Sequence, residues 1–163
     1  MNKTTYLSLG SNLGDKKAHL KNAISSLETN GATIIKYSAV FYTEPIETTF
    51  NKYFFNIVCA VKTHLNPIDL LEICQAIELD FGRVRTEPKA PRPIDIDILF
   101  FGNKIIQTPL LKIPHPALRK RNFVLVPMEE IAPKFRDPVT GKTIRELLHQ
   151  CSDIGKVERL GYL

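Results

Sequence analysis

Asp95 and Asp97 alternate with Ile94, Ile96 and Ile98, and Arg83, Arg85, Lys89 and Arg92 come just before them. A strand repeats every two residues, so this spacing sends both carboxylates to one face and the isoleucines to the other. The carboxylates are then about 7 Å apart along the strand, close enough to share a pair of divalent cations about 4 Å apart. Hard carboxylate oxygens suit Mg2+ bound together with substrate phosphates. Guanidinium groups suit the phosphates themselves. The pattern reads as a metal-assisted phosphoryl-transfer site at a sheet edge. The plainer alternative is an amphipathic strand whose solvated acidic face is balanced by surface ion pairs. The long connection from Arg83 to Pro93 favours the functional reading, because long loops inside compact domains are often functional.

The rest of the chain supplies the elements that would hold such a strand. Tyr6–Leu9 predicts a first strand, ended by turn chemistry at Gly10-Ser11-Asn12-Leu13-Gly14. Leu20, Ile24 and Leu27 make the stripe of a helix from about Asp15 to Asn30, with Gly31 in the C′ position. Thr33–Tyr42 is rich in β-branched and aromatic types and reads as one strand. Tyr53–Thr63 is the next, with Phe55, Ile57, Cys59 and Val61 on one face and Phe54, Asn56, Val58 and Ala60 on the other. Asn66-Pro67 opens a second helix that buries Leu70, Cys74, Ile77 and Phe81 and closes at Gly82. Gln75 and Glu78 share a face near its end. After the Asp-x-Asp strand come a turn at Gly102-Asn103 and an extended Ile113-Pro114-His115-Pro116. A helix over about 123–131, interrupted at Pro127, and a last helix over 143–150 follow. The order β-α-β-β-α-β predicts an α+β, ferredoxin-like antiparallel sheet with helices on one face and the other face free for a ligand.

At 163 residues, one domain spanning 1–163 is expected, with a sizeable core. No apolar run reaches a membrane span, and the first residues lack a secretory pattern, so a cytoplasmic protein is expected. The three cysteines, Cys59, Cys74 and Cys151, show no metal spacing and read as reduced packing residues. The net charge of +5 favours anionic partners without choosing between nucleic acid and a phosphorylated small molecule.

Four motifs occur in order: Leu9-Gly10-Ser11-Asn12-Leu13-Gly14, Gly82-Arg83-Val84-Arg85, Pro91-Arg92-Pro93-Ile94-Asp95-Ile96-Asp97-Ile98-Leu99, and His115-Pro116 followed by Arg121-Asn122-Phe123-Val124-Leu125-Val126-Pro127. Each alone is weak. Together, from about Leu7 to Pro133, they resemble the 6-hydroxymethyl-7,8-dihydropterin pyrophosphokinase family of folate biosynthesis. The resemblance implies a ferredoxin-like fold and transfer of pyrophosphate from ATP to the pterin hydroxymethyl group, with AMP released. It implies two Mg2+ ions held by Asp95 and Asp97. Arg83 and Arg92 match positions that act around the chemistry. Gln75, Glu78, Arg85, Arg92, Ile98, His115 and Arg121 match the ATP side. Thr43, Ile46, Phe54, Asn56 and Phe123 match the pterin side. A flat pterin needs aromatic faces to stack on and an amide for its edge, which Phe54, Phe123 and Asn56 would supply. The expected partners are these small molecules, with no nucleic acid or membrane, on a monomeric and monofunctional chain.

The chain departs from the family pattern in places. Pro88-Lys89-Ala90 stands where the family usually carries Arg-Trp-Gly, and there is no tryptophan anywhere. The connection Tyr42-Thr43-Glu44-Pro45-Ile46-Glu47 is one residue shorter than usual and lacks the glycine. Phe54 replaces a more typical tyrosine. Pro88, Pro91 and Pro93 stiffen the basic loop and predict a smaller range of closure. Two other readings compete. A basic ferredoxin-like sheet with exposed aromatics is also the plan of single-strand RNA binders, although the aspartates would repel a phosphate backbone. Another Asp-x-Asp nucleotidyl- or glycosyltransferase would give a different leaving group.

Overall fold

The computed structural model describes residues 4–44, 53–82 and 91–163. Its elements are β1 (Thr4–Ser11), α1 (Lys16–Thr29), β2 (Ala32–Tyr37), β3 (Val40–Thr43), β4 (Phe54–Thr63), α2 (Pro67–Asp80), β5 (Asp95–Phe101), β6 (Ile106–Gln107), β7 (Lys112–Ile113), α3 (Asn122–Ile131), α4 (Ile144–Gln150) and β8 (Val157–Gly161). Local chemistry sets the helix ends. The Asp15 carboxylate accepts from Ala18 N at 3.1 Å to open α1, and Asn66 Oδ1 accepts from Asp69 N at 2.9 Å to open α2, with Pro67 at its first position. Thr143 and Glu146 form a capping box on α4.

The main sheet runs β5-β1-β4-β3-β8, with β2 also paired to β4, and these neighbours pair antiparallel. The β5-β1-β4-β2 part, with α1 and α2 on one side, is the expected ferredoxin-like core. Strand alternation divides the interior. Leu7, Leu9, Ile57, Cys59, Val61, Ile96 and Ile98 face α1 and α2. Tyr6, Val58, Ala60, Leu99 and Phe100 face Val124, Leu125 and Met128 of α3 and Ile144 and Leu147 of α4. Leu99 and Phe100 are consecutive yet share that side, because the β1–β5 register shifts between Tyr6 and Leu7 and leaves Leu99 as an extra residue.

Four expectations are corrected. The face expected to be free is covered over much of its area by α3 and α4. The single strand over 33–42 is two strands, separated at Ser38-Ala39. There the Ser38 hydroxyl accepts from Val58 N at 3.0 Å and donates to Ala39 O at 2.8 Å, while Ala39 N donates to Glu130 Oε2 at 2.7 Å. Side chains at the break thus take over part of the ladder. The 122–131 helix passes through Pro127 without interruption. Finally, β1 continues through Gly10 and Ser11, where the sequence predicts a turn, and β8 forms where the sequence predicts no strand.

Cys59 and Cys74 are buried in the first core, and burial pushes both thiols up to about 12. Among the described residues, no helix is long and apolar enough to cross a membrane.

Candidate active site

The β5 pleat brings Asp95 and Asp97 to the α3/α4 side of the sheet, beyond the end of the second core. Ile94, Ile96 and Ile98 anchor the strand in the first core from the other side. Asp95 pairs with Gly10, and Asp97 with Ser8. Arg92 Nε lies 3.5 Å from Asp95 Oδ2, and the Arg92 guanidinium lies 5.4 Å from the centre of the Phe54 ring. A residue that sequence reasoning passed over holds Arg92 in place. The buried Asn12 accepts from Arg92 N through Oδ1 at 2.7 Å, and its own N–H donates to Arg92 O at 3.2 Å. Only its place in the Gly-Ser-Asn motif could have signalled it.

The two half-buried carboxylates fit Mg2+ by donor type and by sharing one face of a rigid strand. Among the described residues, no group of three or more His, Cys, Asp or Glu side chains surrounds them. A cation here would therefore draw its remaining oxygens from a ligand and from water, as Mg2+ commonly does.

His115 closes one side of the pair. Its backbone N donates to Leu99 O at 3.0 Å, so the extra residue of the bulge anchors the histidine segment. Its Nδ1 accepts from Ala117 N at 3.1 Å, which assigns the proton to Nε2. Nε2 faces Asp97 Oδ1 at 3.9 Å. Burial is the main influence on the ring and lowers its pKa to about 4, assisted by Arg121 and opposed by Asp95. Near neutral pH the ring is thus an uncharged N–H donor.

Beside His115 lies a cleft of about 330 Å³, lined among others by Leu71, Asp97, Ile98, Leu111, Lys112 and His115. It brings the expected Ile98 and His115 together. Leu71, Gln75 and Glu78 recur at helical spacing on α2. Gln75 is exposed. Glu78 is buried, and its Oε2 accepts from Ile96 N at 2.9 Å, which ties α2 to the strand carrying the aspartates. Leu111 carried no signal of its place here. Arg121 stands at the start of α3, with its guanidinium 5.5 Å from the Phe123 ring centre.

On the other side of the carboxylates, Thr43 pairs with Phe54, and Asn56 Nδ2 donates to Thr43 Oγ1 at 2.6 Å in a buried contact. Phe123 and Thr43 line a cavity of about 50 Å³ with Glu44, Asn122, Asp153, Gly155 and Lys156. The Asp153 carboxylate accepts from Asn122 N at 3.1 Å, and Asn122 Nδ2 donates to Gly155 O at 2.7 Å. This C-terminal segment carried no sequence signal. Thr43, Phe54, Asn56 and Phe123 therefore converge, and Gly10 links Asn56 to Asp95 across the sheet. Ile46, Arg83, Arg85 and Lys89 lie outside the described residues.

The family model described as 7,8-dihydro-6-hydroxymethylpterin-pyrophosphokinase matches residues 6–133. A 2-amino-4-hydroxy-6-hydroxymethyldihydropteridine pyrophosphokinase from Methylorubrum extorquens is 42% identical over 156 residues, covering 95% of this chain and 97% of that protein. The protein of the same name from Bacillus subtilis is 39% identical over 141 residues, covering 86% and 84%. Folic acid synthesis protein fol1 of Pneumocystis carinii is 40% identical over 152 residues, covering 93% of this chain; the chain spans only 20% of that protein. Among solved structures, wild-type Plasmodium falciparum HPPK-DHPS superposes with a TM-score of 0.70 at 18% identity, covering 92% of this chain and 45% of that one. That likeness concerns the fold.

Proposed function

We propose an activity from one premise: the chain belongs to the 7,8-dihydro-6-hydroxymethylpterin-pyrophosphokinase family. The reaction is transfer of pyrophosphate from ATP to the hydroxymethyl group of 6-hydroxymethyl-7,8-dihydropterin. The hydroxymethyl oxygen attacks the β-phosphorus and loses its proton. The bond from that phosphorus to the bridging oxygen of the α-phosphate breaks, and AMP leaves with the electron pair. Residues 1–163 act as one pyrophosphokinase domain, and a single copy supplies all the candidate residues.

The observation that carries this reading is the placement of the carboxylate pair between two dissimilar half-sites. On the cleft side, Ile98, Leu71 and Leu111 offer apolar walls to a base. Gln75 and Glu78 flank the same strand from α2. The Nε2–H of His115 and the guanidinium of Arg121 are aimed at phosphate oxygens. Arg92, held by Asn12, serves the phosphates from the opposite side, and the family motif assigns Arg83 and Arg85 to the same phosphates. On the far side, Phe54 and Phe123 sandwich the flat pterin, Asn56 and Thr43 meet its polar edge, and the family motif assigns Ile46 to the same ligand. Asp95 and Asp97 would hold two Mg2+ ions, which when bound neutralise phosphate charge. Most of the catalysis then comes from positioning and charge compensation by the chain's own groups.

Product analysis with Mg2+, ATP and 6-hydroxymethyl-7,8-dihydropterin tests the proposal. Pterin-dependent AMP release with a pyrophosphorylated pterin is expected. Release of ADP or of free pyrophosphate would overturn it.

A further inference from the structure

Gly10 lies inside β1, paired with Asp95 on one neighbouring strand and with Asn56 on the other. Directly paired residues share a face, so the glycine lies in the row between a carboxylate and an amide that do different work. A Cβ at this position would come within 2.5 Å of Asn56 Oδ1 and 3.3 Å of Phe54 Cδ1. The amide cannot simply move aside, because Asn56 is 4% exposed and its Nδ2 is held by Thr43 Oγ1 at 2.6 Å. Gly10 is not among the glycines with positive φ, so its backbone is one that alanine also adopts. Its smallness matters for the space above it, not for its conformation.

We infer that Gly10 is a positioning and specificity-determining residue of the heteroaromatic half-site. It leaves the space in which the Asn56 amide lies across β1, and it forms the floor of a shallow trough from that amide to Asp95. A flat ring whose edge is read by Asn56 can lie over this floor with its substituent directed at the carboxylates. Any side chain at position 10 displaces the amide. The inference rests on the proposed pterin site.

The test is direct binding of 6-hydroxymethyl-7,8-dihydropterin and, separately, of a non-hydrolysable ATP analogue to wild type, Gly10→Ala, Asn56→Ala and the double variant. Losing the amide's alignment in a buried contact predicts pterin affinity about tenfold weaker for Gly10→Ala, with analogue affinity changed less than about twofold. In the Asn56→Ala background the clash is gone, so adding Gly10→Ala should cost less than about twofold. Unchanged pterin affinity in Gly10→Ala, or an equal loss of pterin and analogue, overturns the inference. An equal pterin penalty in both backgrounds does so too. If Gly10→Ala alone does not fold, the Asn56→Ala and double variants decide: a large further loss on adding Gly10→Ala overturns the inference, and near-equality supports it. A wild type that binds the pterin but releases no AMP would count against the proposed reaction and leave this comparison intact.

Discussion

Near neutral pH the His115 ring is neutral, because Ala117 N occupies Nδ1 and burial disfavours the cation. This has a signed consequence for the protein free of nucleotide and divalent cations. The unfolded ring titrates near 6.5 and the folded ring at about 4, so between these values only the unfolded state takes up the proton. The contribution is fully present above pH 6.5 and is lost as pH falls to about 4, by up to about 3 kcal/mol. Denaturant titrations across that window should show a shallower pH slope for His115→Gln than for wild type; equal slopes would refute the assignment. At Asp97, whose side chain is 39% exposed, alanine should leave the fold intact. It should lower pterin-dependent AMP release by about 100-fold or more, since even outer-sphere partners of a metal cost 10–100-fold. Residue-scale features set by alternation were legible: the shared face of Asp95 and Asp97, and that of Phe54 and Asn56. Gly10 was not, because a glycine beside Ser-Asn carries turn chemistry locally. Its strand placement is decided by partners on β4 and β5, far away in sequence.

Elements hold these side chains by contacts that local patterns do not encode. Helix α3 starts at Arg121 without a side-chain cap of its own. The N–H of Asn122, its first residue, donates instead to the Asp153 carboxylate, thirty-one residues further along, in a part-buried contact. Asp153→Ala should therefore cost roughly 1 kcal/mol of stability, as lost caps do. It should also weaken pterin binding several-fold by loosening Phe123, while leaving ATP-analogue affinity unchanged; calorimetry on the two ligands checks both. The two central helices were readable because their caps and stripes are local. Strand β8 was not, because Val157–Gly161 lies at the sheet margin, mostly exposed, and shows no apolar alternation. The break at Ser38 was hidden by a continuous run of β-forming residues, and Glu130 on α3 helps to hold it open.

At the scale of the molecule, the net charge of +5 would act on the proposed nucleotide substrate more than on the proposed pterin. Raising ionic strength from about 0.05 M to about 0.5 M should slow ATP-analogue association several-fold, as the Debye length shrinks, and leave pterin affinity nearly unchanged. Stopped-flow traces on each ligand would show this; parallel changes in both would argue against charge steering. The ferredoxin-like plan was legible from element order. The added pair α3 and α4 was seen as helices but not as a second layer, since their sequences do not state which sheet face they cover. One consequence concerns self-association. The strand carrying the carboxylates ends the β5-β1-β4-β3-β8 path, and such margins are templates for stacking further chains. Here Glu78 occupies the backbone at Ile96, His115 occupies it at Leu99, and the like charges of Asp95 and Asp97 project from the same strand. The groups proposed to manage phosphate charge would also keep copies of the protein apart. The double variant Asp95→Asn/Asp97→Asn should then be both inactive and quicker to scatter light on mild heating than an equally destabilised core variant. Equal scattering would confine these aspartates to chemistry alone.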